Sequence, residues 1–131
     1  MRPRFLRWIF GLSSIDFGLQ HLTAITAVAN TVFVPAWMPF GQAFWVVLTG
    51  TAFVLAGIAI VSRMYDVVAA RLLALMFFAF SALTLIPNLV ASPHDQTHWG
   101  GNAYNIIAVA SAWILAEWLS AHPQRGRPSS A

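Results

Sequence analysis

The chain has neither cysteine nor lysine among its 131 residues, and only four acidic side chains. Without cysteine there can be no disulfide, thiol relay, iron–sulfur cluster or thiolate metal site. Without lysine no Schiff base can form, which excludes a retinal-type pigment. Charged residues supply 8% of the chain, against about 25% in an ordinary soluble domain, too few to cover a water-facing surface. Hydrophobic residues supply 59%, so the expected surroundings are a lipid bilayer and any chemistry must sit in a bundle, at its mouths or in a partner. The formal charge of +3 does not point to nucleic acid, because the arginines are spread along the sequence rather than gathered in one patch.

Their placement carries topology. Arg2, Arg4 and Arg7 precede a first apolar run over 8–33. Arg63 and Arg71 bracket the junction of a second run, 43–62, with a third, 67–90, while Arg125 and Arg127 follow a fourth, 102–119. The other two linkers contain no Lys or Arg. Cytoplasmic loops hold the excess of positive residues, so the expectation is four spans with both termini and the central loop in the cytoplasm. Short connections make successive spans antiparallel, which predicts an all-α, integral membrane four-helix bundle of up-down-up-down order over residues 1–121. Residues 122–131 are polar and contain Pro and Gly, and read as a disordered cytoplasmic tail. A cleaved signal peptide would carry Asp16, Gln20 and His21 in its apolar core, so the first run reads as a retained span. Gly50 and Gly57 let a neighbouring helix approach closely, Pro87 predicts a kink or fray late in the third span, and the six tryptophans lie mostly near expected interfaces.

Polar residues are rare enough inside these runs to be informative. Ser13, Asp16, Gln20, Thr23 and Asn30 form one stripe on the first helix, with Ser14 and His21 flanking it roughly 100° away. A carboxylate facing lipid near mid-membrane costs about 2.5–3.5 kcal/mol, so the stripe is expected to face the bundle interior or another subunit. Asp16 then reads either as a proton carrier or headgroup ligand helped by Gln20 and His21, or as helix glue paired with Arg71, Ser81, Thr84 or Asn105. His21 is the one histidine well inside a span, whereas a membrane haem usually needs an axial pair. His94 and His98, with Asp95, would share a helical face in a metal-binding layout, but Pro93 and Gly100-Gly101 favour irregular backbone there. Arg71 and Glu117 are expected to pair at the cytoplasmic mouth. No nucleophile–base–orienter set or nucleotide loop is visible, so a self-contained enzyme is not expected.

Several short motifs carry a family resemblance. Phe17-Gly18-Leu19-Gln20-His21-Leu22 ends a glycine-containing first helix in an amide–histidine–apolar step, and Val34-Pro35-Ala36-Trp37-Met38-Pro39 forms a proline-bracketed turn. Leu48-Thr49-Gly50 through Gly57 punctuates the second helix, followed by an arginine turn and an alanine-rich third helix from Val67 to Leu75. Over most of residues 5–119 this pattern resembles the DoxX family of small four-span bacterial membrane proteins. The resemblance implies the bacterial inner membrane and an auxiliary or anchoring subunit of a quinone-linked redox complex. Many relatives carry a glutamate near what is here Ala52-Phe53; this second span has no acid, so that task is absent or has passed to Asp16. On this reading the chain has no intrinsic cofactor and binds a quinone or other lipophile, with Asp16, Gln20 and His21 at its headgroup and Trp45 or Trp113 against its apolar part. The alternatives are a small proton-coupled transporter using Asp16 and a purely structural protein that oligomerises through the stripe. Expected partners are the bilayer, redox-complex subunits and further copies of the chain.

Overall fold

The computed structural model describes residues 3–27 and 39–122, and it is all-helical. Helix α1 spans Pro3–Thr23, after which the chain bends at Ala24 and residues 25–27 are again helical. Helix α2 spans Gln42–Ser62 and α3 Asp66–Phe80. A π-helical turn over Ser81–Leu85 joins α3 to the short α4, Ile86–Ala91, and α5 runs over Gln96–Ala121. The proline-bracketed turn from Val34 to Met38, Trp37 within it, and the tail beyond His122 lie outside the described residues.

Three helical stretches are long and apolar enough to cross a membrane: α2, the continuous rod of α3, π turn and α4, and α5. α1 is not among them. It is 21 residues long but carries Arg4, Arg7, Asp16, Gln20 and His21. Four apolar runs in the sequence thus become three apolar helices and one polar-bearing helix.

The helices pack as a row rather than a closed ring. α1 packs on α2, α2 on α3, and α3 on α5, while α1 does not pack extensively on α5. Glycine sets the first contact. A Cβ added to Gly18 would lie 2.6 Å from the Gly50 carbonyl oxygen, and one added to Gly57 would lie 2.5 Å from that of Gly11. These two antiparallel Gly–Gly layers bring the α1 and α2 backbones together, as small residues do between membrane helices. Alanine does the same work between α3 and α5, where Ala70, Ala74, Ala112 and Ala116 are buried around Leu73 and Leu119. Phe53 and Ile60 fill the space between α2 and α3. The outward faces stay apolar: Leu55, Ile58, Leu72, Leu75, Ile107 and Ile114 are all exposed.

Two ion pairs tie the arginine-bearing end. Arg71 meets Glu117 across α3 and α5 at 3.5 Å, as the sequence leads one to expect, with both side chains about half exposed. The other pair is not anticipated. Arg7 donates to Asp66 at 2.6 Å with 4% and 14% of their side chains exposed, clamping α1 to the first residue of α3.

At the other end Pro87 does not fray its helix. A proline lacks the N–H for an i→i−4 bond and its ring crowds the carbonyl four residues back. Here the strain is absorbed one turn earlier, where the Ile86 N–H donates to the Ser81 carbonyl in the wider π pattern. Two tryptophans close this end alike: the Trp45 indole N–H donates to the Pro39 carbonyl at 2.8 Å, and that of Trp99 to the Pro93 carbonyl at 2.9 Å.

Candidate functional site

Because the row does not close, a cleft remains between α1 and α5, floored by α2 and α3. Phe17 from α1, Phe53 from α2 and Phe77 from α3 form its aromatic floor, stacked at centroid separations of 4.9 Å (Phe17–Phe53, edge-on) and 5.3 Å (Phe53–Phe77). One lobe, about 520 Å³, extends over His21, Phe80, Thr84, Thr97 and Gly101. A second lobe, about 410 Å³, shares that floor and runs toward Phe10, Ser14 and Ala108. Either is large enough for a small-molecule ligand, whose pockets span about 300–1,000 Å³, and the walls are overwhelmingly apolar.

Polar groups are few and divided: His21, Thr84 and Thr97 border the first lobe, Ser13 and Ser14 the second, and Tyr104 and Asn105 both. His21 is 3% exposed, with its ring 4.7 Å from Phe17 and 5.6 Å from Phe53. Its Nδ1 lies 2.9 Å from the Phe17 carbonyl oxygen. A carbonyl only accepts, so Nδ1 is the donor and carries a hydrogen. Nε2 makes no hydrogen bond to any described residue and is left for whatever occupies the cleft. Across the cleft, the Asn105 amide donates to the Phe77 carbonyl and to Ser81 Oγ, the latter at 2.8 Å, fastening α5 to the start of the π turn. Its carbonyl oxygen is not used by either bond. Thr84 is buried and donates to the Phe80 carbonyl at 2.7 Å, so its hydroxyl oxygen can still accept. The π turn therefore forms one wall of the lobe. Irregular helix at a polar-tipped cavity is a common companion of function.

Of the five residues singled out in the sequence as ligand contacts, only His21 lines the cleft. Asp16 and Gln20 stand on the outward side of α1, both exposed, with the Gln20 amide donating to Asp16 Oδ2 at 2.8 Å. Asp16, Gln20 and Thr23 of the polar stripe are thus exposed, Ser13 borders the second lobe, Asn30 lies outside the described residues, and the flanking pair Ser14 and His21 is what is buried. Trp45 is engaged by Pro39, and Trp113 points outward, half exposed. Asp16 does not meet Arg71, Ser81, Thr84 or Asn105; Thr84 and Asn105 line the cleft, and Ser81 accepts from Asn105 behind it. Reading polarity alone passed over Asn105 and Thr84 as site residues. The usable signal for Thr84 was its place one turn before Pro87, which forces irregular backbone there; Asn105, on another helix, carried no such signal.

Near the start of α5, Asp95 caps the helix by accepting from the Thr97 N–H at 2.8 Å, and His98 sits 3.6 Å from its carboxylate on the first turn. The helix starts at Gln96 rather than near 102, so the irregular loop expected around His98 is helical. Among the described residues no three His, Asp or Glu side chains come together as a metal-binding group.

Comparison with protein-family models, with curated proteins and with solved structures finds no match to this chain.

Proposed function

We propose that this chain is a four-span membrane protein that takes a lipophilic molecule from the bilayer into the cleft between α1 and α5. The observation that carries the reading is the cleft itself: aromatic and apolar along its length, open at the side, with the unpaired Nε2 of His21 in one lobe. A membrane-soluble ring with a carbonyl or hydroxyl head fits that distribution. The head would meet His21, Thr84 and Asn105, and the apolar part would run along the second lobe past Phe10 and Ala108. An isoprenoid quinone has this form, which agrees with the resemblance to the DoxX family and with an auxiliary or anchoring role beside a redox complex. The positive-inside pattern of the arginines orients the chain with its Arg7–Asp66 end in the cytoplasm, in the bacterial inner membrane. α1 crosses as the fourth span despite its polar residues, held by the glycine contacts to α2.

His21 replaces Asp16 as the headgroup contact in this proposal, because Asp16 is exposed and does not line the cleft. The transporter reading has no such observation in its favour. The test is mass spectrometry of organic extracts from gently purified protein, with His21→Phe alongside; phenylalanine keeps a ring against Phe17 and Phe53 but removes both nitrogens. A lipophile enriched over an inert four-span control, and lost at least several-fold in the variant, is the expected result. Equal extracts from all three proteins would remove the basis for the cleft as a binding site.

A further inference from the structure

The outward side of α1 presents polar groups that none of the described residues covers. Gly11, Ser14 and Gly18 are buried on the side of α1 nearest α2, and Arg7 lies there too. Asp16 is nine residues from Arg7, which at roughly 100° per residue puts it half a turn away. It therefore points away from α2. Among the described residues its only side-chain hydrogen bond is the one from Gln20, which leaves Oδ1 and the second amide hydrogen of Gln20 unused there.

Around Asp16 the exposed residues are ordered. Phe5, Ile9, Leu12, Asp16, Leu19 and Thr23 follow at alternating steps of four and three, the a/d spacing of a coiled-coil seam, and all six are exposed. The β-branched Ile9 and Thr23 fall at a and the leucines 12 and 19 at d, the arrangement that favours two parallel strands. Asp16 is then the single charged a residue. In a pair of copies it meets its own counterpart across a two-fold axis, a like-charge approach that the Gln20 amides must offset, and a polar residue at a fixes register at a cost in stability.

We propose that α1 pairs in parallel with α1 of a second copy of this chain through this seam. The proposal rests on α1 crossing the bilayer. A second copy is the fitting occupant because the polar set complements itself. Each Gln20 has a free amide hydrogen and each Asp16 a free carboxylate oxygen at the same depth, so a two-fold axis yields two crossed Gln20-to-Asp16 hydrogen bonds. A partner of unrelated sequence would have to supply a matching polar residue at that level. The seam lies away from the His21 side of α1, so each copy keeps its own cleft.

The absence of native cysteine makes the test direct. Leu12→Cys and Leu19→Cys are introduced singly, with Leu55→Cys and Leu75→Cys on the outward faces of α2 and α3 as controls. Each is oxidised in native membranes and separately exposed to a membrane-impermeant maleimide. Disulfide dimers of this chain at 12 and 19 but not at 55 or 75 are expected, and adding Asp16→Ala lowers the association constant roughly tenfold. Protection from the maleimide without seam-specific dimers, or cross-links to a different protein, overturns the pairing alone. Labelling of Leu12→Cys from water overturns the span on which it rests.

Discussion

Arg7 and Asp16 show how far a side chain's meaning depends on which way its helix faces. In the sequence Arg7 is one of three arginines marking an end of a span; in the structure it is buried against Asp66 and couples α1 to α3. Asp66→Ala leaves that guanidinium buried without a counter-charge, and is expected to cost about 3–5 kcal/mol. Arg71→Ala removes an exposed pair at 3.5 Å, worth about 0–1 kcal/mol. Denaturation of the two variants side by side in detergent checks the contrast, and equal losses would contradict it. The Asp16 stripe was legible as a stripe because helical periodicity is a local property. Its direction was not, because periodicity says nothing about which side the neighbour takes. Gly11 and Gly18 did hold that information: they lie seven apart on the side opposite Asp16, matching the spacing of Gly50 and Gly57.

At the scale of elements, the apolar runs located α2 and the rod of α3, π turn and α4 within about a residue at each end, since length and hydropathy are set by composition. The start of α5 was placed too late. Pro93 and the glycine pair argued for irregular backbone, but the Asp95 cap satisfies the first turn and the helix carries Gly100 and Gly101 within it. The hydrogen bond from the Thr97 N–H holds the Asp95 carboxyl below the usual carboxylate range, with the Thr97 side chain and His98 adding smaller effects in the same direction. A carboxyl lowered on folding stabilises the helix above its unfolded value of about 3.9 and loses that contribution as pH falls through its folded value. The first turn of α5 is therefore expected to fray below about pH 4. Faster hydrogen exchange at the Thr97 amide in acid, abolished as a pH effect in Asp95→Asn, is the measurement. The third span carries a parallel lesson: proline announced a disturbance near residue 87, and the backbone placed it over Ser81–Leu85, where Asn105 could brace it.

For the whole molecule, the sequence supplied neighbours but not closure. Short connections imply which helices are adjacent, and α2 beside α3 and α3 beside α5 follow from that. Whether the first and last helices meet depends on how tightly each intermediate pair crosses, and here the glycine contact draws α1 onto α2 and away from α5. Gly57→Ala tests this. Alanine normally favours a helix over glycine by about 1 kcal/mol, but the added Cβ would sit 2.5 Å from the Gly11 carbonyl oxygen, a backbone atom that cannot swing aside. The variant is expected to lose about 1–3 kcal/mol, whereas Gly100→Ala, whose Cβ enters open space, should be neutral or gain. Opposite signs in thermal unfolding would support the contact; matching gains would refute it.

The row has a consequence for how the molecule is made. α2 packs most heavily on α1, and α3 on α5, with a lighter α2–α3 contact joining the two pairs, and the ion pair from Arg7 reaches no further than the first residue of α3. The α1–α2 pair can therefore reach its final crossing while the rest of the chain is still on the ribosome, and α5 can join last without reopening anything already assembled.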